Sequence, residues 1–237
     1  MRKFKLARFF TLILYFLSAL FIDSSFADPH KVPPQDLFDY GKDGRVWKKP
    51  DVSLVPTFFI RGTPDVMQIN NYSCGVAVFQ GVAMRFGYWG YQEDFAKILK
   101  TSEEDGTHPN AIEKGFKKLG YDARILENLT IDQIKGFLRS GCSVILDYQA
   151  WNDEPDGKDY THEWEDGHYS ILVGFNDEVL FIEDPSLLGT IGYLKNNEFI
   201  SRWHDYEIEN GKRREYVHMA IIVKGRIIHQ PQFTHID

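Results

Sequence analysis

Gln68-Ile-Asn-Asn-Tyr-Ser-Cys74-Gly75 stands directly before an amphipathic helical pattern. Apolar residues then recur at the spacing of one helix face, at Phe79, Val82, Ala83 and Phe86. Ser73 is a favourable N-cap residue, so we expect Cys74 to lie in the first helical turn. The helix dipole and the unpaired backbone N–H groups there favour a thiolate, which is the reactive form of cysteine. The stretch therefore predicts a reactive cysteine at the start of a helix.

Residues 1–27 have the pattern of a secretory signal peptide. Basic residues precede an apolar run from Phe9 to Ile22, and Ser25-Phe26-Ala27 supplies small residues at a cleavage site. A membrane anchor is the alternative interpretation, but the run is shorter than the ~20 apolar residues that a span needs. We therefore expect export through the secretory pathway, to a periplasm or the medium, without stable membrane insertion after signal removal.

Composition limits the partners of the chain. The formal charge of −7 at neutral pH makes nucleic acid and anionic lipid poor candidates. The chain contains two cysteines, Cys74 and Cys142, and an oxidising compartment would permit a disulfide between them. The helix-start position of Cys74 instead favours a free thiol, and Cys142 is expected to be a small buried residue at the start of a strand.

The order of predicted elements indicates an α+β fold. A polar arm at residues 28–55 precedes the predicted domain at 56–225, and 226–237 form a tail. Helices are predicted at Cys74–Arg85, Gln92–Leu99, Asn110–Leu119, Ile131–Arg139 and Asn196–Trp203. Strands are predicted at Tyr121–Leu126, Ser143–Tyr148, His168–Phe175, Val179–Glu183, Gly189–Tyr193 and Tyr216–Val223. Helices packed on an antiparallel sheet should meet it along a cleft that holds the active site.

A predicted hairpin brings a histidine and an acid together. His168 begins one strand, and Asp184 follows the end of the next. A hairpin places the start of its first strand beside the end of its second, so these two residues should be neighbours. A nucleophilic cysteine needs a base and a group that orients the base, so the pattern predicts a Cys74–His168–Asp184 triad. The side-chain amide of Gln68 is a candidate donor to an oxyanion.

Three blocks of sequence resemble the papain-like cysteine peptidases of the bacteriocin-processing type, also called double-glycine leader peptidase domains. The blocks are Gln68 with Cys74-Gly75, Gly167-His168-Tyr169 with Gly174-Phe175, and Asp184-Pro185. The resemblance implies a papain-like fold with Cys74 as nucleophile, His168 as general acid/base and Asp184 as its orienting group. It places Gln68 in the oxyanion hole. It implies a peptide or protein substrate, with Gly75, Gly167 and Tyr169 in the substrate site, and no cofactor.

The same residues leave two other functions open. A papain-fold acyl transferase or transpeptidase would use the same triad, and a non-catalytic module would bind peptides in the cleft. The acidic excursion from Trp151 to Asp166 permits a metal site between His162 and His168 by spacing alone, but a solvated hairpin tip is the simpler interpretation, so no metal is expected. We also expect three of its acids, Glu163, Glu165 and Asp166, to flank the cleft and favour basic substrates.

Overall fold

The computed structural model describes residues 54–151, 159–209, 211–227 and 235. The predicted signal peptide, nearly all of the predicted arm, the middle of the acidic excursion and most of the predicted tail lie outside these residues. The described helices are α1 (Cys74–Arg85), α2 (Gln92–Leu99), α3 (Pro109–Lys118), α4 (Ile131–Arg139) and α5 (Asn196–Arg202), with a 3-10 turn at Tyr160–His162. The described strands are β1 (Phe58–Phe59), β2 (Asp122–Leu126), β3 (Ser143–Gln149), β4 (Gly167–Phe175), β5 (Val179–Glu183), β6 (Gly192–Lys195), β7 (His204–Glu209), β8 (Lys212–Val217) and β9 (Ala220–Lys224).

Local sequence signals account for several helix ends. The Thr130 hydroxyl accepts a hydrogen bond from the Gln133 N–H, and the Gln133 side chain accepts one from the Thr130 N–H, which is a capping box at the start of α4. Pro109 begins α3, where its fixed φ and missing N–H are tolerated. Gly87 follows the end of α1 with φ of 93°, a left-handed conformation that favours glycine.

The described strands form a seven-stranded antiparallel sheet and a separate two-stranded hairpin. The main path of the sheet is β2-β9-β3-β4-β5-β6, and β1 pairs with the far end of β4. The central strand β3 is buried along its whole length. The hairpin consists of β7 paired with β8.

The sheet has a different layer of helices on each face. One face packs into a core with α4 and α5 that includes Leu146, Tyr148 and Leu172 from the central strands. The opposite face packs against α1, and α2 and α3 pack against α1. Because side chains alternate along a strand, Asp147 lies between two core residues of β3 yet faces the α1 side. The two faces of the same strands therefore meet different surroundings.

A β-bulge between Leu172 and Gly174 sets the register of β4 against β5. Leu172 pairs with Ile182, whereas Gly174 pairs with Phe181. Continuing the register of the first pair brings Asp184 opposite Ser170 and diagonal to the residue at position 168. Without the extra residue, the side chain at 184 would face the other side of the sheet.

The predicted strand Tyr216–Val223 is wrong. The structure divides it into β8, which ends at Val217, and β9, which begins at Ala220. Between them, His218 has φ of 50°, and this left-handed residue interrupts the extended backbone. The predicted strand at Gly189–Tyr193 begins later, at Gly192, because Gly189 takes φ of 77° in a turn.

The sequence predicted neither β7 nor the first four residues of β8, and so the β7–β8 hairpin was missed. Its second strand begins Lys212-Arg-Arg-Glu, and most of its side chains are exposed, so the alternation typical of a half-buried strand is weak. None of the described helices combines the length and the apolar character that a membrane span needs.

Two helical glycines should respond in opposite ways to alanine. A Cβ on Gly115 of α3 would lie 2.7 Å from the Phe79 ring and 2.9 Å from Leu99, whereas a Cβ on Gly136 of α4 meets nothing within 4 Å. We expect Gly115→Ala to lower the free energy of unfolding by about 1–3 kcal/mol through overpacking. Gly136→Ala should raise it by about 0.5–1 kcal/mol, because alanine favours the helix.

Urea unfolding of both variants measures this difference. Two changes of the same sign would contradict the close packing of α3 on α1.

Candidate active site

Cys74 is the first residue of α1 and is partly exposed. Ser73 occupies the predicted N-cap position, but its side chain does not cap the helix. The Ser73 hydroxyl instead bonds with the backbone of Asn70, accepting from its N–H at 3.2 Å and donating to its carbonyl at 3.3 Å. The first-turn N–H groups are therefore not used by the Ser73 side chain, and the positive end of the helix dipole is directed at the thiol.

His168 and Asp184 lie next to each other, as the hairpin argument predicted. His168 begins the buried part of β4, and Asp184 comes directly after β5. The His168 Nε2 atom is 3.0 Å from the Asp184 Oδ1 atom, and both side chains are buried. His168 also interacts with Cys74 and lowers the pKa of its thiol. Because Nε2 is directed at Asp184, Nδ1 is the ring nitrogen left for the sulfur. The structure thus brings the three predicted triad residues together.

Asp184 has further donors that the sequence did not predict. Its carboxylate accepts hydrogen bonds from the Ser170 hydroxyl at 2.9 Å, the Ser186 N–H at 2.8 Å and the Tyr148 hydroxyl at 3.3 Å. The Trp151 indole N–H donates from 3.3 Å. Ser170 lies two residues after the histidine on the same strand face, which is a signal that could have identified it. Tyr148 and Trp151 gave no such signal.

These donors hold the acid in its ionised form. Burial alone would raise the pKa of Asp184, but the hydrogen bond and charge of His168 outweigh it, and Ser186 and Ser170 add to the effect. The pKa of the carboxyl is therefore below its ordinary value. An ionised Asp184 fixes the orientation of the imidazole and favours its protonated form.

The electrostatics of Cys74 and His168 favour a thiolate–imidazolium pair. Burial would raise the pKa of the Cys74 thiol, but the hydrogen bond and charge of His168 lower it overall. Burial would lower the pKa of His168, yet its bonds with Asp184 and Cys74 raise it to about 10. Each member of the pair stabilises the charge of the other, so the nucleophile is ionised before substrate arrives.

The three residues predicted for the substrate site have identifiable contacts. The backbone N–H groups of Gly75 and Tyr169 donate to the Cys74 sulfur and help to lower its pKa. Gly167 packs against Asp205, and a Cβ there would lie 2.3 Å from an oxygen of that carboxylate. The close approach of Asp205 explains why position 167 holds glycine, whereas Gly75 and Tyr169 interact with Cys74 through their backbone. Their predicted contacts with substrate remain predictions.

Gln68 is held in the loop before Cys74. Its side-chain amide donates to the Asn70 carbonyl at 2.8 Å, and its Oε1 accepts from the Ser186 hydroxyl at 3.1 Å. Its backbone N–H donates to the Pro185 carbonyl at 3.1 Å. The loop of the cysteine is thereby tied to the residues that follow the triad acid. A glutamine amide carries two N–H donors, so one is left for a substrate oxygen.

A cavity of about 310 Å³ opens beside Cys74 on the α1 face of the sheet. It is lined by six acidic side chains, Glu104, Asp105, Asp147, Glu165, Asp205 and Glu207, and by the tyrosines Tyr72, Tyr169, Tyr206 and Tyr216. Of the three acids that the sequence placed beside the cleft, only Glu165 lines this cavity. Asp147, Asp205 and Glu207 were missed because the sheet and the unpredicted hairpin bring them together from distant parts of the sequence.

Both cysteines are free, and Cys142 is buried in the core. The disulfide alternative is therefore wrong for this structure. His162 bonds with Asp159 at 3.3 Å, away from the partners of His168. Within the described ranges, no three His, Cys, Asp or Glu side chains are grouped as metal ligands.

Comparisons with known proteins agree with this architecture. The sequence model of the peptidase C39 family matches residues 63–215. A C39-like peptidase from Bacillus anthracis shares 14% identity with a TM-score of 0.52, over 72% of this chain and 98% of that one. The peptidase domain of Streptococcus ComA shares 21% identity with a TM-score of 0.49, over 68% and 97%.

A double-glycine-motif protease from an AMS/PCAT transporter, solved with the leader peptide, shares 18% identity with a TM-score of 0.48, over 71% and 97%. The search of curated proteins gave no match. The predicted α+β fold is confirmed by the sheet and helices and by the Bacillus anthracis structure.

Loss of the imidazole should return the thiol to ordinary or lower reactivity. The lowered pKa of Cys74 extends its thiolate to lower pH than in an ordinary cysteine, and the raised pKa of His168 keeps the imidazolium until about pH 10. In His168→Ala, the two strongest effects that oppose burial of the thiol are lost and only the backbone N–H groups of Gly75 and Tyr169 remain, so its pKa should rise. Iodoacetamide alkylation near neutral pH should then slow by at least about tenfold.

The measurement is the alkylation rate against pH by intact-protein mass, with Cys142→Ala as the control that keeps the fast label. An unchanged profile in His168→Ala would contradict the ion pair.

Proposed function

This chain belongs to the peptidase C39 family and is a cysteine peptidase, and we propose that it hydrolyses peptide bonds with Cys74, His168 and Asp184 as its triad. The observation that carries the proposal is the grouping of the three side chains: His168 is 3.0 Å from the Asp184 carboxylate, and its interaction with Cys74 lowers the pKa of the thiol. Cys74 is the nucleophile, His168 is the general acid/base and Asp184 orients the imidazole.

The first half of the reaction acylates the enzyme. The Cys74 thiolate adds to the substrate carbonyl carbon, and the carbonyl oxygen becomes an oxyanion. When the tetrahedral intermediate collapses, the C–N bond breaks and the leaving amine takes the proton from Nδ1 of His168. The product of this half is a thioester on Cys74, and the imidazole is neutral.

The second half releases the acyl group. The neutral imidazole accepts a proton from water as the water oxygen adds to the thioester carbonyl. Collapse of the second intermediate expels the Cys74 thiolate and frees the carboxylic acid. The Asp184 carboxylate stabilises the imidazolium that forms in this step, so the ion pair is restored for the next cycle.

The oxyanion hole consists of the Cys74 backbone N–H and the Gln68 side-chain amide. Cys74 lies at the start of α1, where its N–H has no partner within the helix. The bonds of Gln68 with Asn70 and Ser186 support its role, because they fix the amide while one N–H stays available. One such donor supplies roughly 3–4 kcal/mol of transition-state stabilisation.

We infer from the signal-peptide pattern that the enzyme acts outside the cytoplasm. The basic residues, apolar run and small residues of positions 1–27 carry this part of the proposal. The enzyme would then act in a periplasm or in the medium on peptides or proteins present there.

Substitutions of Cys74 and Gln68 should affect catalysis differently, because one residue is the nucleophile and the other an oxyanion donor. Cys74→Ala should abolish hydrolysis, and Cys142→Ala, the matched cysteine control, should leave it unchanged. Gln68→Ala should lower kcat by about 10²–10³-fold with a smaller effect on KM. A peptide-library cleavage profile read by mass spectrometry supplies the substrate for these rates. Full activity of Cys74→Ala would refute the triad, and products joined to an added amine would identify a transferase.

Processing should remove residues 1–27. The exported protein should begin at Asp28, and Ala27→Arg should block cleavage because the site requires a small residue at that position. Mass spectrometry of the protein recovered outside the cytoplasm measures both. An exported protein that still begins with Met1 would contradict the signal-peptide assignment.

A further inference from the structure

Asp147 is a buried acid in the wall of the cavity beside Cys74, and one of its oxygens has no partner among the described residues. It is 2% exposed, and the oxygen without a hydrogen bond is Oδ1. It belongs to the central strand β3 and lines the cavity. The carboxyl interacts with Asp205 and the Tyr169 side chain, but a buried ionised oxygen without a partner is costly, so Oδ1 needs either a proton or a cation.

A second carboxyl meets Asp147 from the β7–β8 hairpin. Asp205 accepts a hydrogen bond from the Gln149 side chain at 3.0 Å and packs against Gly167. The pKa of Asp147 is raised well above its ordinary value, mainly by burial and secondly by the charge of Asp205. Burial also raises the pKa of Asp205. Two carboxyls in contact resist simultaneous ionisation, and a cation placed between them would relieve that cost.

Two of the other acids of the cavity already have partners. Glu207 bonds with His108 and accepts from the Tyr216 hydroxyl. Glu165 accepts from the Tyr206 hydroxyl at 3.3 Å. Asp147 and Asp205 are therefore the buried acceptors left for a ligand, while the exposed Glu104 and Asp105 add a negative field.

The cavity provides no cation of its own for this pair. Among the described residues that line it there is no lysine or arginine, and its histidine is bonded to Glu207. Arg213 and Arg214 of β8 stack instead on tyrosine rings of the hairpin, at 3.9 Å from the Tyr206 ring and 4.5 Å from the Tyr216 ring. The described acids are not grouped as three metal ligands, which favours an organic cation over a metal ion.

We propose that this cavity is a substrate subsite that binds a positively charged group, an amine or guanidinium, close to the scissile bond. The inference rests on the proposed peptidase function and names its specificity. Cys74 lines the same cavity, so a bound cation would lie within a few residues of the attacked carbonyl. The tyrosines of the wall give the aliphatic part of a lysine or arginine an apolar surface, and the carboxyls receive its charged end.

Binding to the Cys74→Ala protein tests the subsite without requiring catalysis. The probes are short fluorescent alanine–glycine peptides with one lysine, norleucine or glutamate at each position in turn, each with a free or an acetylated N-terminus. We expect lysine to bind at least about tenfold more tightly than norleucine at one position, and glutamate more weakly than either. If acetylation abolishes the preference, the bound cation is the terminal ammonium of the peptide, and otherwise it is the side chain.

Neutral variants of the two acceptors complete the test. In the Cys74→Ala background, Asp147→Asn and Asp205→Asn should each reduce the lysine-to-norleucine ratio at that position by about tenfold, with norleucine binding retained. Asp94→Asn, which removes one exposed charge outside the cavity, should leave the ratio unchanged. Cleavage of the same peptides by the enzyme with Cys74 intact should show the same preference in kcat/KM.

The outcomes distinguish this inference from the proposed function. Equal binding of lysine and norleucine at every position, or a preference that survives in both acid variants, would overturn the subsite even where peptides are cleaved. A preference that the variants remove, in a protein with Cys74 that cleaves none of the peptides, would support the subsite and count against hydrolysis.

Discussion

The register of β4 against β5 is the constraint on which the site depends. The bulge before Gly174 turns Asp184 to the same side of the sheet as His168 and Ser170. The 3.0 Å bond between His168 and Asp184 follows from that register and from the burial of both side chains. A slip by one residue would leave the imidazole without its acid, and the imidazolium that pairs with the thiol would be less stable. The reactive state of Cys74 is thus a property of strand pairing as much as of its helix.

The central strands serve two purposes because neighbouring residues face opposite sides. On β3, Tyr148 donates to the triad acid, and Asp147 lines the acidic cavity. On β4, His168 belongs to the triad, and Tyr169 reaches the cavity. Rigid strands of this kind hold catalytic and binding groups more accurately than loops do. The packed strands β3 and β4 therefore hold both a triad residue, His168, and an acid of the cavity, Asp147.

The sequence predicted those elements whose structure depends on residues close together in the chain. The start of α1, the Ile131–Arg139 helix and the His168–Asp184 pairing followed from helix signals and hairpin geometry. The sequence missed what depends on distant contacts or on a single backbone angle. The left-handed residue at His218 divided one predicted strand into two, and the donors Tyr148 and Trp151 reach Asp184 only through the tertiary fold. The carboxyls at 147 and 205 were missed for the same reason.

The β7–β8 hairpin pairs with itself and stands apart from the main sheet path. It nevertheless supplies two of the acids beside the nucleophile, Asp205 and Glu207. The strand ladder that aligns His168 with Asp184 is formed by β4 and β5 and does not include the hairpin. The fold thereby assigns the alignment of the triad to one set of strands and part of the cavity wall to another, so exposed hairpin residues can tune peptide selection while the reaction stays the same.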